Sequence, residues 1–92
     1  SLKVNLPNPP RSVQEIEDFF NIYLGKHIGD IYIPGQQGYA FVRYCDADDA
    51  KTAKSRTNGK RFFTFDSNGR RVEEDGPVFV EYARNSSRNT NW

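Results

Sequence analysis

The sequence predicts an α+β fold, a four-stranded antiparallel sheet with two helices on one face. Three observations lead there: two segments carry apolar residues at helical spacing, four alternate with period two, and their order is strand, helix, strand, strand, helix, strand. Connection rules for that order give a split β-α-β arrangement in which both helices lie on the same side of the sheet. The 92 residues make one domain with a core large enough to fold unaided.

Leu2-Lys3-Val4 alternates apolar, charged, apolar and reads as a first strand with Lys3 outward. Pro7-Asn8-Pro9-Pro10 is a stiff, non-helical connector. Ser12 stands three residues before Glu15, the spacing of a capping box, and opens a helix. Val13, Ile16, Phe19, Phe20, Tyr23 and Leu24 form its apolar stripe, and Glu15, Glu17 and Asp18 face the other way. Gly25 lies past its C-terminus.

Ile28 to Ile33 is the second strand, closed by Pro34, with Ile31 and Ile33 on one face and Tyr32 on the other. Gly35-Gln36-Gln37-Gly38 turns it back into an antiparallel third strand. Asp46 is the N-cap of a second helix, which packs on the sheet through Ala47, Ala50 and Ala53 and stops at Asn58-Gly59. An extra hairpin follows: 61–66 pairs with 70–74 across Ser67-Asn68-Gly69, and Asp75-Gly76-Pro77 breaks it off. Val78 to Tyr82 is the last strand, with Val78, Val80 and Tyr82 inward and Phe79 and Glu81 outward. The polar run 85–92 reads as a flexible linker, so the domain spans 1–84. The absence of an initiator Met and the opening strand suggest a domain excised from a longer protein.

The third strand contains the informative stretch, Gln37-Gly38-Tyr39-Ala40-Phe41-Val42-Arg43-Tyr44. Alternation puts Ala40, Val42 and Tyr44 on one face and Tyr39, Phe41 and Arg43 on the other. A strand buried on both faces would carry the same residues. With both helices on one side, however, the second face is open, and Lys3, Tyr32, Phe79 and Glu81 fall on it too. Flat rings beside cations suit stacked nucleobases.

Composition limits the kind of binding. Thirteen basic against twelve acidic residues, a net charge of +1, exclude the broad basic footprint of a duplex-DNA binder. Binding must lean on stacking, helped by a few local cations. The single Cys45 cannot form an internal disulfide and suits a reducing compartment. No apolar run reaches membrane-spanning length, so no membrane partner is expected. His27 has no nucleophile pattern around it, no metal-ligand spacing occurs, and no Gly-rich phosphate loop adjoins an Arg; an enzyme, a metal or a cofactor is not expected.

The octamer resembles the longer ribonucleoprotein signature of the RNA-recognition motif (RRM), with Gln37 replacing its leading cation. The strand order extends that resemblance over nearly the whole chain, to a ferredoxin-like sandwich. Leu2-Lys3-Val4-Asn5-Leu6, Ile28-Gly29-Asp30-Ile31-Tyr32-Ile33-Pro34, Phe41-Val42-Arg43-Tyr44 and Tyr82-Ala83-Arg84 are similar to the RRM of SR-type (serine/arginine-rich) splicing factors. Lys3 stands where the shorter signature has an aromatic, as in some SR-type domains. Asn5-Leu6 follows Val4 one residue early, which predicts a reshaped end to the first strand.

This resemblance implies a monomeric domain that binds single-stranded RNA, pre-mRNA or mRNA, in splicing or mRNA processing. It also implies a nuclear location and spliceosomal protein partners. Tyr39 and Phe41 match the ring pair of the longer signature, Tyr32 a second-strand aromatic and Lys3 a first-strand contact. Phe79, Arg43 and Arg84 complete the expected RNA-binding set. A different reading is a protein-binding RRM variant that grips a Trp-bearing peptide on the helical side through an Arg-x-Phe mark. Arg61 and Phe63 fit that mark, beside an acidic first helix; the competing expectation is that Phe62, Phe63 and Phe65 pack the hairpin on the core.

Overall fold

A computed structural model describes residues 1–10, 12–25, 27–35 and 37–83. Arg84 and the expected linker over 85–92 lie outside the described residues, as does Gln36 of the turn. The elements run β1 (Leu2–Asn5), α1 (Val13–Tyr23), β2 (Ile28–Tyr32), β3 (Tyr39–Tyr44), α2 (Ala47–Thr57), β4 (Arg61–Phe65), β5 (Arg71–Pro77) and β6 (Phe79–Tyr82). The main sheet is four-stranded in the order β2-β3-β1-β6, all neighbours antiparallel, which is the expected ferredoxin-like topology. No described helix is long and apolar enough to cross a membrane.

The helices start where their caps dictate. The Ser12 hydroxyl accepts from the Glu15 amide at 3.4 Å, and the Asp46 carboxylate accepts from the Asp48 amide at 3.0 Å. Helix α1 buries Ile16, Phe19 and Phe20, and Leu24 is buried at its C-cap. Val13, expected on the stripe, is exposed because it occupies the first turn, beyond the reach of the sheet. Helix α2 buries Ala50, Ala53 and Thr57. Ala47 was expected in that row but is exposed, and Thr57 replaces it; the Thr57 hydroxyl is satisfied by donating to the Ala53 carbonyl at 2.7 Å.

Leu2, Val4, Ala40, Val42, Val78 and Val80 form the sheet side of the core, with Ile31 and Ile33 packed at its margin. Tyr44 is buried there as well. Its hydroxyl finds no hydrogen-bond partner among the described residues, and burial, with the Asp49 carboxylate adding to it, pushes its pKa up to about 12. Tyr82 lies on this side by register, opposite Leu2, but is half exposed. It sits at the end of an edge strand, beside the polar residues Lys51, Lys54, Ser55 and Asn58, with the Lys54 ammonium 5.4 Å from the ring centroid.

The extra hairpin forms its own two-stranded sheet, β4-β5. Its turn is held by the Asp66 carboxylate, which accepts from the amides of Asn68 and Arg70, and by Gly69 at φ 79°, a conformation that strains any residue with a Cβ. The second strand does not stop at Glu74 as expected. A register shift between Arg61 and Phe63 lets pairing continue to Arg61 opposite Pro77, and a proline is tolerated at the end of an edge strand.

The hairpin packs on α1: Phe19 meets the rings of Phe62 and Phe63 at 5.1 and 5.0 Å, so the expectation that these rings join the core is met. Phe65 is 38% exposed and touches Phe63 edge-on. At the hairpin's exit the Gly59 and Val78 amides bond to Val78 and Lys60 carbonyls, and Asn58 accepts from the Val80 amide. These bonds tie the end of α2 to β6.

Candidate nucleic-acid interface

Register arranges the open face of the sheet in cross-strand rows. One row runs Tyr32, Phe41, Lys3, Glu81, each directly opposite the next on β2, β3, β1 and β6. A second runs Tyr39, Asn5, Phe79. Asp30 and Arg43 pair on the β2–β3 side. Neighbouring strands lie roughly 4.8 Å apart, so these side chains form a single surface. The expected reshaping of the first strand does not occur. β1 stays in register with both neighbours through Asn5, and the Leu6 amide bonds to the Gly38 carbonyl at 2.9 Å. The irregularity falls instead on β2, between Ile28 and Asp30.

The rings support one another. Tyr32 and Phe41 stack at 6.4 Å with an interplanar angle of 18°, while Tyr39 meets Phe41 edge-on at 5.6 Å and 82°. The Lys3 ammonium lies 4.6 Å from the Tyr39 centroid, which steadies that ring from the side. Tyr39 and Phe41 are consequently half-buried, whereas Tyr32 is 43% and Phe79 58% exposed. Stacking capacity is thus spread over four rings rather than concentrated in the central pair.

Charge on the face cancels. Lys3 and Arg43 stand beside Asp30 and Glu81, and the Arg43 guanidinium is 3.4 Å from the Asp30 carboxylate with both side chains half exposed. An exposed pair of this kind is worth little to stability, but it moderates the charge that Arg43 adds to the face.

Arg61 and Phe63 lie apart from this face, on β4. Phe63 is 1% exposed, wedged among Phe19, Tyr23 and Phe65, with the Arg71 guanidinium 3.9 Å above its ring. Arg61 donates to the Glu74 carbonyl at 2.9 Å. The pair belongs to a strand rather than a loop, and the ring offers no surface to a peptide. His27 is exposed, and among the described residues no three His, Cys, Asp or Glu side chains cluster as metal ligands would.

Family comparison agrees with this geometry. Residues 5–66, more than half of the chain, match the model of the RNA recognition motif. The chain belongs to the RNA recognition motif family. The crystal structure of the RRM domain of S. pombe Puf1 superposes on this RRM with a TM-score of 0.66 at 29% identity, covering 94% of this chain and 90% of that one. No curated protein sequence matches the chain. RRMs are non-enzymatic RNA-binding domains, and the open sheet face described above belongs to such a domain.

Sequence reasoning missed two polar contacts on the face. Asn5 donates from Nδ2 to Glu81 Oε2 at 3.1 Å and to the Phe79 carbonyl at 3.2 Å. Alternation placed Glu81 outward, but a side-chain contact between residues 76 apart in sequence has no local signature.

Proposed function

We propose that this RRM binds short single-stranded RNA on its open sheet face. In this reading Tyr39, Phe41, Tyr32 and Phe79 serve as stacking platforms, and Lys3 and Arg43 contact phosphates or base edges. Arg84, outside the described residues, would extend the set. The observation that carries this is the coupled ring cluster: Tyr32, Tyr39 and Phe41 on the adjacent strands β2 and β3, in register and in contact, on the face the helices leave uncovered. Water-exposed rings gain by stacking with bases, at roughly 1–3 kcal/mol per base.

The finer setting follows from the sequence resemblance to SR-type domains. We place the RRM in a longer, nuclear protein of pre-mRNA splicing or mRNA processing, working with spliceosomal partners. Two or three bases stacked on these rings and two or three cations, set against the costs of association, give about −8 kcal/mol, a micromolar Kd. Another domain or tail would raise that through effective concentration.

An amide-shift titration with short single-stranded RNAs tests the reading. Shifts should concentrate on 2–5, 30–32, 39–43 and 79–82. Shifts confined to α1, α2 and the hairpin would refute it.

A further inference from the structure

We propose that Asn5, Phe79 and Glu81 form a subsite for a guanine base at the β1–β6 side of the sheet; the proposal rests on the RNA-binding reading above. Glu81 is exposed on the platform, opposite Lys3 in register, yet Lys3 turns its ammonium over Tyr39 instead. Among the described residues no cation lies within ion-pair distance of Glu81. A bare carboxylate among stacking rings repels phosphate, so a role in RNA binding must come from a hydrogen-bond donor on a base.

The carboxylate is also held in place. Both hydrogens of Asn5 Nδ2 are committed, one to Glu81 Oε2 and one to the Phe79 carbonyl. Both partners are acceptors only, so the orientation of the Asn5 amide is dictated by chemistry. Oε1 carries no hydrogen bond from a described residue. Phe79, the most exposed ring on the face, lies two residues before Glu81 on the same side, roughly 6.6 Å along the strand. A base lying on Phe79 can therefore direct its Watson–Crick edge at Glu81.

An ionised carboxylate accepts hydrogen bonds and donates none. Guanine presents two adjacent donors, N1–H and the N2 amine, which match its two oxygens. Adenine and cytosine present one amine beside a ring-nitrogen acceptor that the carboxylate repels. Uracil presents one N–H between two carbonyl acceptors. The order expected is guanine, then adenine and cytosine, then uracil.

The test uses fluorescence anisotropy with hexauridylate and with the same hexamer carrying one guanine, adenine or cytosine at each position in turn. The wild-type domain should bind the best guanine hexamer about tenfold more tightly than hexauridylate, the scale of one bidentate contact to a base. Glu81→Gln replaces one acceptor by a donor and should bring that ratio to within about twofold. Glu81→Asp keeps the charge but shortens the reach, and should lose the preference while the salt dependence stays that of wild type. No guanine preference in the wild type, or an unchanged ratio in Glu81→Gln with all affinities shifted equally, would overturn the proposal. In the second case the carboxylate would act only by repelling phosphate. Failure of the underlying reading has a separate signature: Tyr39→Ala/Phe41→Ala binding every hexamer as wild type does.

Discussion

Truncating the central rings is the most direct test of the sheet face. In Tyr39→Ala/Phe41→Ala, each substitution removes a stacking platform worth roughly 1–3 kcal/mol per base. The two losses are not independent, because the rings meet at 5.6 Å and Phe41 in turn supports Tyr32 at 6.4 Å. Removing Phe41 loosens both neighbours, and removing Tyr39 releases Lys3 from its ring. The double variant should lose about 3–4 kcal/mol, taking a micromolar Kd close to millimolar. Both rings lie on the face away from the core cluster, so the fold should survive. The assay is anisotropy or calorimetry with a short single-stranded RNA, with far-UV circular dichroism and a thermal melt on the same sample. A double variant that melts cooperatively, keeps the native spectrum and binds RNA as tightly as wild type would refute the reasoning.

Other outcomes follow from the same geometry. With two or three phosphate-facing cations, log K should fall against log salt with a slope of roughly −1.4 to −2, measured between low and physiological salt. A slope several times steeper would mean a phosphate track this face does not possess. Asp30→Asn removes the carboxylate beside Arg43 and should tighten RNA binding about two- to threefold while making that slope steeper; unchanged affinity would show that Arg43 stays off the RNA. Phe63→Ala should destabilise by about 3–5 kcal/mol in denaturant unfolding, since the ring is fully packed; a loss under 1 kcal/mol would contradict its place in the core.

Tyr44→Phe deletes a buried hydroxyl that has no partner among the described residues and should raise stability by about 1 kcal/mol, with a melting temperature higher by several degrees. The folded Tyr44 pKa of about 12 lies above the ordinary 10. The unfolded chain therefore loses this proton first, and stability falls as pH rises from about 10 towards 12. Tyr44→Phe should flatten that decline, and an identical alkaline decline in both proteins would remove Tyr44 as its cause.

The local signals in the sequence were strong. Caps at Ser12 and Asp46, the apolar stripe of α1 and the alternation of 39–44 each arise from contacts within a few residues, and they were sufficient to give the order of elements and the split β-α-β topology. Period-two alternation also assigned Lys3, Tyr32, Tyr39, Phe41, Arg43 and Phe79 to one face, because strand geometry alone dictates which side a residue takes.

Tertiary structure decided what depends on partners distant in sequence. Whether a residue on the correct face is covered depends on what stands above it: Tyr82 and Ala47 stay exposed where the opposing element ends, and Thr57 is buried where sheet and helix meet. Pairing past a register shift at Arg61/Phe63 carried β5 to Pro77, and the packing of the hairpin on Phe19 left Phe63 only 1% exposed. On the open face, the sequence supplied the rings but not their arrangement. Strand order brought Asn5 to Glu81 and turned Lys3 to Tyr39, since cross-strand neighbours are set by pairing. The octamer at 37–44 determined that a stacking surface exists, and the fold determined which polar groups border it.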